Sequence, residues 1–192
     1  MGRVSSTVRD VTAPEITVAT PADRRRIVDS LVAAFPADPV LRFLFPEDYP
    51  RHAAAFFGHL FDKRVNRESV WTIDGGAATA IWEPPSGSDT PPEEIDLPAD
   101  ARARMREYDD AVHAALPREP FWYLGVLGTH PASAGRRWGR AVMAEGLRRA
   151  AEDGLPAILE TSTPKNVEIY RGAGWEVVCE LSAPVPLWIM KQ

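Results

Sequence analysis

The chain has a single cysteine, Cys179, among its 192 residues. One thiol rules out an internal disulfide and any thiolate metal cluster, so no metal site is expected and a reducing cytoplasmic setting is the default. No apolar run approaches the ~18 residues that a membrane span requires. Residues 1–15 lack the apolar stretch of a secretory signal. Basic charge is also in deficit: Lys and Arg number 22 against 27 Asp and Glu, for a net charge of −5. This argues against nucleic acid and against an anionic membrane surface as partners. What is present, 45% hydrophobic and 26% charged residues, is ordinary for one globular domain.

Read along the chain, residues 1–14 form a loose leader and residues 15–192 a single domain. Glu15 to Ala19 reads as a short strand. Thr20-Pro21-Ala22-Asp23 then carries the hydroxyl, proline and carboxylate of a capping box. The helix it opens places Ile27, Leu31, Val32 and Phe35 on one side and stops near Pro36. A second helix is expected from about Arg51 to Val65. Asp74-Gly75-Gly76 between Val70–Ile73 and Ala77–Trp82 is a hairpin signal. Residues 83–98 read as an irregular loop, leading into a helix over 99–115. Phe121 to Gly128 has the density of a strand buried on both faces. After it, a helix runs to about Asp153, and Pro156 to Ser162 forms a further strand. A short helix over Asn166–Arg171 is capped by Asn166, and two last strands lie at 175–180 and 186–190. Alternating strands and helices after residue 120 require at least one parallel crossover.

The segment Ala134-Gly135-Arg136-Arg137-Trp138-Gly139-Arg140 falls at the turn between an apolar strand and a helix start. Unpaired backbone N–H groups and the positive end of the helix dipole make such a turn an anion site, and the three arginines add mobile charge. The alternative is a solvated basic first turn with no ligand. Two phosphate-binding patterns fail on spacing. Gly135 and Gly139 are four apart and followed by Arg-Ala, unlike a P-loop. Gly125, Gly128, Gly135 and Gly139 do not supply G-x-G-x-x-G.

Leu127-Gly128-Thr129-His130-Pro131, the Gly/Arg turn, Leu159-Glu160-Thr161-Ser162, Asn166 to Tyr170 and Gly174-Trp175 together resemble the acyl-CoA-binding core of a GNAT N-acetyltransferase. Ala33-Ala34-Phe35, Val70-Trp71, Arg118 to Trp122 and Thr163-Pro164-Lys165-Asn166 are similar to the puromycin N-acetyltransferase-like, antibiotic-modifying branch. The resemblance spans roughly residues 15–191 and is most specific over 118–178. It implies an α/β (α+β) fold of GNAT acyl-CoA N-acyltransferase type, with a mixed, mainly antiparallel sheet of six to seven strands flanked by helices. It implies an enzyme that moves an acetyl group from acetyl-CoA to the amine of a small molecule, by direct attack in a ternary complex. Family members often pair as dimers, so a homodimer is a further expectation.

By the same resemblance, Leu127 and Thr129 meet the pantetheine arm, and the turn from Ala134 through Gly135, Arg136, Arg137, Trp138 and Gly139 to Arg140 meets the pyrophosphate. Asn166 contacts the CoA arm and Tyr170 is the general acid for the departing thiolate. Tyr170 read alone, without the resemblance, is a packed aromatic with its hydroxyl bonded to backbone. Glu160, a carboxylate on an apolar strand, is the candidate base or else a structural carboxylate. His130, Asp38 and Glu83 are weaker candidates, the first read as a turn histidine and the others as solvated loop carboxylates. Trp122 and Tyr123 point to opposite faces, so one of them can line an acceptor pocket, although core packing is the favoured role for both. The turn departs from the family pattern of Gln or Arg, two residues, Gly, one residue, then Gly or Ala. Ala134, Arg137 and Gly139 occupy those positions, and only Gly139 fits. An arginine at 137 either swings outward to pair with phosphate or blocks the turn. The alternative function is therefore a GNAT-like protein that binds a ligand, or serves another biosynthetic step, without acetyl transfer.

Overall fold

The Asp74-Gly75 turn joins two strands as its sequence requires, both residues taking positive φ (49° and 57°). The computed structural model describes residues 14–85 and 95–192. Most of the leader, and residues 86–94 of the expected irregular loop, lie outside them.

Seven strands form one sheet in the order β1-β2-β3-β4-β5-β7-β6. They are β1 (Ile16–Val18), β2 (Val70–Ile73), β3 (Ala78–Glu83), β4 (Trp122–Thr129), β5 (Ala157–Thr161), β6 (Glu176–Leu181) and β7 (Leu187–Lys191). All neighbours are antiparallel except β4 and β5, which supply the expected parallel crossover. The helices are α1 (Arg24–Ala34), α2 (Pro39–Leu44), α3 (Tyr49–Val65), α4 (Ala99–Ala115), α5 (Trp138–Glu152) and α6 (Pro164–Arg171). This mixed, mainly antiparallel sheet flanked by helices matches the expected fold class.

The core divides by sheet face. On one side α1 to α4 pack through Ile27, Leu31, Leu44, Phe57, Phe61 and Val112. On the other, α5 lies on β2, β3 and β4 through Val142 and Met143, against Trp71, Trp82 and Trp122. Gly146 lets α5 come close, since a Cβ there would stand 2.1 Å from the Trp82 ring.

Two expectations are corrected. The six-residue α2 was not anticipated; Asp38 caps it, accepting from Leu41 N at 3.0 Å, ahead of Pro39 at the first helical position. The last short helix begins at Pro164 with Thr163 as its N-cap, so Asn166 lies inside the first turn and does not cap it. Along β4 buried and half-buried residues alternate, and the buried ones reach the cores on both faces, as expected of a central strand. The register between β3 and β4 slips at Ile81/Trp82, leaving Gly125 as an extra residue. This bulge reverses the facing of the strand: Trp122 and Leu124 belong to the α5-side core, whereas Val126 belongs to the other.

Candidate active site

The bulge at Gly125 also separates β4 from β5. Their parallel ladder runs through Trp122↔Ala157, Tyr123↔Ile158 and Leu124↔Leu159 and stops there, although both strands continue. The backbone N–H of His130 donates to Ala77 O on the β3 side. By strand alternation Gly128 and Val126 also address β3, so the backbone groups of Leu127 and Thr129 face the open gap. Polar main-chain groups along an opened edge need partners from outside the sheet. An extended ligand with amide groups can supply them.

At the end of β4 the chain makes a short 3-10 turn, Pro131–Ser133, and enters α5. Gly135 takes φ 80° and Arg137 takes φ 61°, a left-handed conformation unusual for a side-chain-bearing residue. Arg137 is the N-cap of α5. Trp138, Gly139 and Arg140 thus form the first turn, where N–H groups lack helical partners. Ala134, Gly135, Arg136, Arg137 and Arg140 are exposed and Trp138 and Gly139 half-buried. The Arg136 guanidinium lies 4.8 Å from the centre of the Trp138 ring, a cation–π contact. Trp138 packs on the α5-side core and so covers the helix start. A Cβ on Gly139 would stand 3.1 Å from Thr129 Oγ1, which puts the helix start beside the open edge of β4.

A cavity of about 130 Å³ occupies the gap. Leu127, Glu160, Ser162, Asn166, Tyr170 and Asp38 are among its walls. Glu160 is held there by two phenols: the Tyr108 hydroxyl donates to Oε1 at 3.0 Å and the Tyr123 hydroxyl donates to Oε2. Burial pushes its carboxyl above the usual carboxylate range, opposed by those two hydrogen bonds. Tyr170 is half-buried, its ring edge-on to Trp175 with centroids 6.1 Å apart. Burial, and then the Glu160 charge, push its hydroxyl up to about 12. Asp38 is not a solvated loop carboxylate. It caps α2, accepts from Ser162 Oγ at 3.4 Å, and is likewise raised by burial.

A larger chamber, about 560 Å³, lies under α3 and α4 and shares Glu160, Tyr108 and Gly125 with the first. Tyr123 lines it, while Trp122 is buried and donates its Nε1–H to Asp153 at 2.8 Å. Of that pair, Tyr123 is therefore the one that reaches a cavity.

The structure thus brings Glu160, Tyr170, Asn166 and Leu127 around one cavity, with Thr129 and the Ala134–Arg140 turn at the end of the same strand. Of the weaker candidates, Asp38 shares that cavity, whereas His130 and Glu83 lie apart from it. His130 Nδ1 accepts from Ala132 N at 3.2 Å, and the residue borders a separate surface hollow with Arg26 and Gly76. Glu83, corrected from a solvated loop carboxylate, ends β3 and is ion-paired with Arg64 and Arg67. Sequence reasoning missed Tyr108. Its signal was the spacing Met105, Tyr108, Val112 along α4, an apolar stripe.

No protein-family model matches the chain. Solved structures with a similar backbone include a histone acetyltransferase HPA2 and related acetyltransferase from Corynebacterium glutamicum (21% identity, TM-score 0.67, covering 93% of this chain and 95% of that one). Another is arylalkylamine N-acetyltransferase 2 from Aedes aegypti (11% identity, TM-score 0.66, 93% and 97%). A third is the Drosophila melanogaster polyamine N-acetyltransferase that forms N-acetylagmatine (13% identity, TM-score 0.59, 92% and 98%). The fold is that of the GNAT acetyltransferases.

Proposed function

We propose that the chain is a GNAT-type N-acetyltransferase that moves an acetyl group from acetyl-CoA to the amine of a small molecule, by direct attack in a ternary complex. One observation carries the reading. The strand whose edge is opened from Leu127 to Thr129 runs directly into the N-terminal turn of α5, so an amide-bearing arm and a pyrophosphate can be held by consecutive parts of one chain. Gly135, Arg136, Arg137, Trp138, Gly139 and Arg140 would hold the phosphates, with Asn166 along the arm. Ala134 supplies backbone only. Arg137 already takes the left-handed backbone that a glycine would offer, and its exposed side chain is available to a phosphate.

Acetyl-CoA supplies an activated acyl group on a thiol leaving group. Glu160 takes one proton from the acceptor ammonium, its raised affinity for protons bringing it closer to that task. A main-chain N–H on the open edge near Leu127 stabilises the negative charge that develops on the acyl oxygen as the C–N bond forms. Tyr170, protonated at neutral pH, gives its proton to the sulfur as the C–S bond breaks and recovers one from the new amide nitrogen. Glu160 returns its proton to solvent, and one proton is released per turnover. The acceptor is taken to be of antibiotic or secondary-metabolite type and the setting cytoplasmic, as the resemblance to puromycin N-acetyltransferases implies. The named amine acetyltransferases of similar fold support an amine acceptor in general.

The test is thiol release from acetyl-CoA with purified protein and a panel of small amines. Amine-dependent release, with the acetylated amine identified by mass, is expected. No release with any amine would overturn the reading in favour of a GNAT-like binding protein.

A further inference from the structure

The larger chamber has a composition that selects among amines. Its volume of about 560 Å³ falls in the ~300–1,000 Å³ range of small-molecule sites. Phe56, Leu60, Ile81, Met105, Val112 and Phe121 give it an apolar, largely aromatic and aliphatic wall. Such a wall stabilises an apolar body by removing its surface from water.

The charged groups on the wall are mostly matched already. Glu83 is engaged by Arg64 and Arg67. Asp109, exposed at the chamber's edge, has its carboxyl pushed up by burial, opposed by His113 and Lys63. Glu160 differs, since its hydrogen-bond partners are the neutral hydroxyls of Tyr108 and Tyr123. One inner carboxylate without a cationic partner provides for one ammonium. Additional positive charges on an acceptor would meet Lys63, exposed at the rim of the same wall, and like charges repel.

We infer that this chamber is the acceptor site and that it takes a primary amine bearing a single positive charge on an aromatic or bulky apolar body. The ammonium stands at Glu160 and the body lies against Phe56, Met105, Val112 and Phe121. Polyamines and aminoglycosides are disfavoured. The inference rests on the transferase reading for its chemistry, but the chamber's preference can be measured without transfer.

The experiment compares kcat/KM in thiol release for tryptamine and phenethylamine against ethylamine, spermidine and kanamycin. The aromatic monoamines are expected to exceed each of the others at least tenfold. Spermidine or kanamycin turning over as well or better overturns the inference and leaves the transferase reading standing. Leu60→Trp, a half-buried wall position, is expected to lower kcat/KM for tryptamine at least tenfold with acetyl-CoA binding unchanged. Unchanged turnover would contradict the location. Lys63→Glu is expected to raise the spermidine-to-tryptamine ratio at least tenfold, and an unchanged ratio contradicts the charge argument. If acetyl-CoA fails to bind, the transferase reading falls, and calorimetric titration with tryptamine and spermidine judges the chamber alone. Tighter binding of tryptamine supports it, whereas tighter binding of spermidine, or no binding of either, overturns it.

Discussion

Tyr108, on α4, donates its hydroxyl at 3.0 Å to Glu160, on β5, joining elements 52 residues apart at the place where the two cavities meet. The bond lowers the pKa of a carboxyl that burial raises. Glu160 must be ionised to take a proton, so kcat/KM is expected to fall with decreasing pH along a limb above the usual carboxylate range of about 4. Glu160→Gln is expected to reduce kcat by ~10²-fold or more and to abolish that limb. In Tyr108→Phe the limb should move to higher pH, because a bond to the ionised form has been removed. A limb that stays in place would deny Tyr108 any influence on the base.

The same carboxyl makes stability depend on pH. A group whose folded pKa is raised binds more protons folded than unfolded, so its contribution is complete below the unfolded value near 4 and is lost as pH rises through the folded value. Glu160 and Asp38 both have this sign. Denaturant midpoints are therefore expected to decline as pH rises from about 4 toward neutrality, and to decline less in Glu160→Gln. A Gln variant with the same pH slope as the parent would contradict the burial of an ionisable carboxyl.

Tyr170 keeps its proton to about pH 12, as a general acid must at neutral pH. Tyr170→Phe is expected to lower kcat ~100-fold or more with little change in acetyl-CoA affinity. A loss within about threefold, well below the range of general acid catalysis, would leave Tyr170 a packing residue against Trp175.

Arg137 caps α5 with φ 61°, a conformation costing a residue with a Cβ roughly 1 kcal/mol. Arg137→Gly should relieve that cost and Arg137→Ala should not. The glycine variant is expected to be more stable than the alanine variant by about 1 kcal/mol, read as a melting difference of about 2–4 °C. Both lose a cation, so both should bind acetyl-CoA with a weaker dependence on salt than the parent.

The Asp74-Gly75 turn, the succession of strands and helices after residue 120 and the helix Ala99–Ala115 were legible because local signals agree there: apolar periodicity and flanking Gly and Pro. The short helix α2 was not, since six residues show less than two turns of pattern. The bulge at Gly125 left only a glycine inside an apolar strand as its trace, although it sets both the opened edge and the change of facing. Tyr108 joins the site through contacts far apart in sequence, which no local window contains. Glu160 was legible as an anomaly, but its two hydroxyl partners come from α4 and β4, and only the packed fold brings them together.

Isothermal calorimetric titration of the protein with acetyl-CoA tests the central claim most directly. The opened edge at Leu127 and Thr129, continued into the Arg137-capped start of α5, predicts saturable one-to-one binding in the micromolar range. No binding heat at millimolar acetyl-CoA would contradict the account.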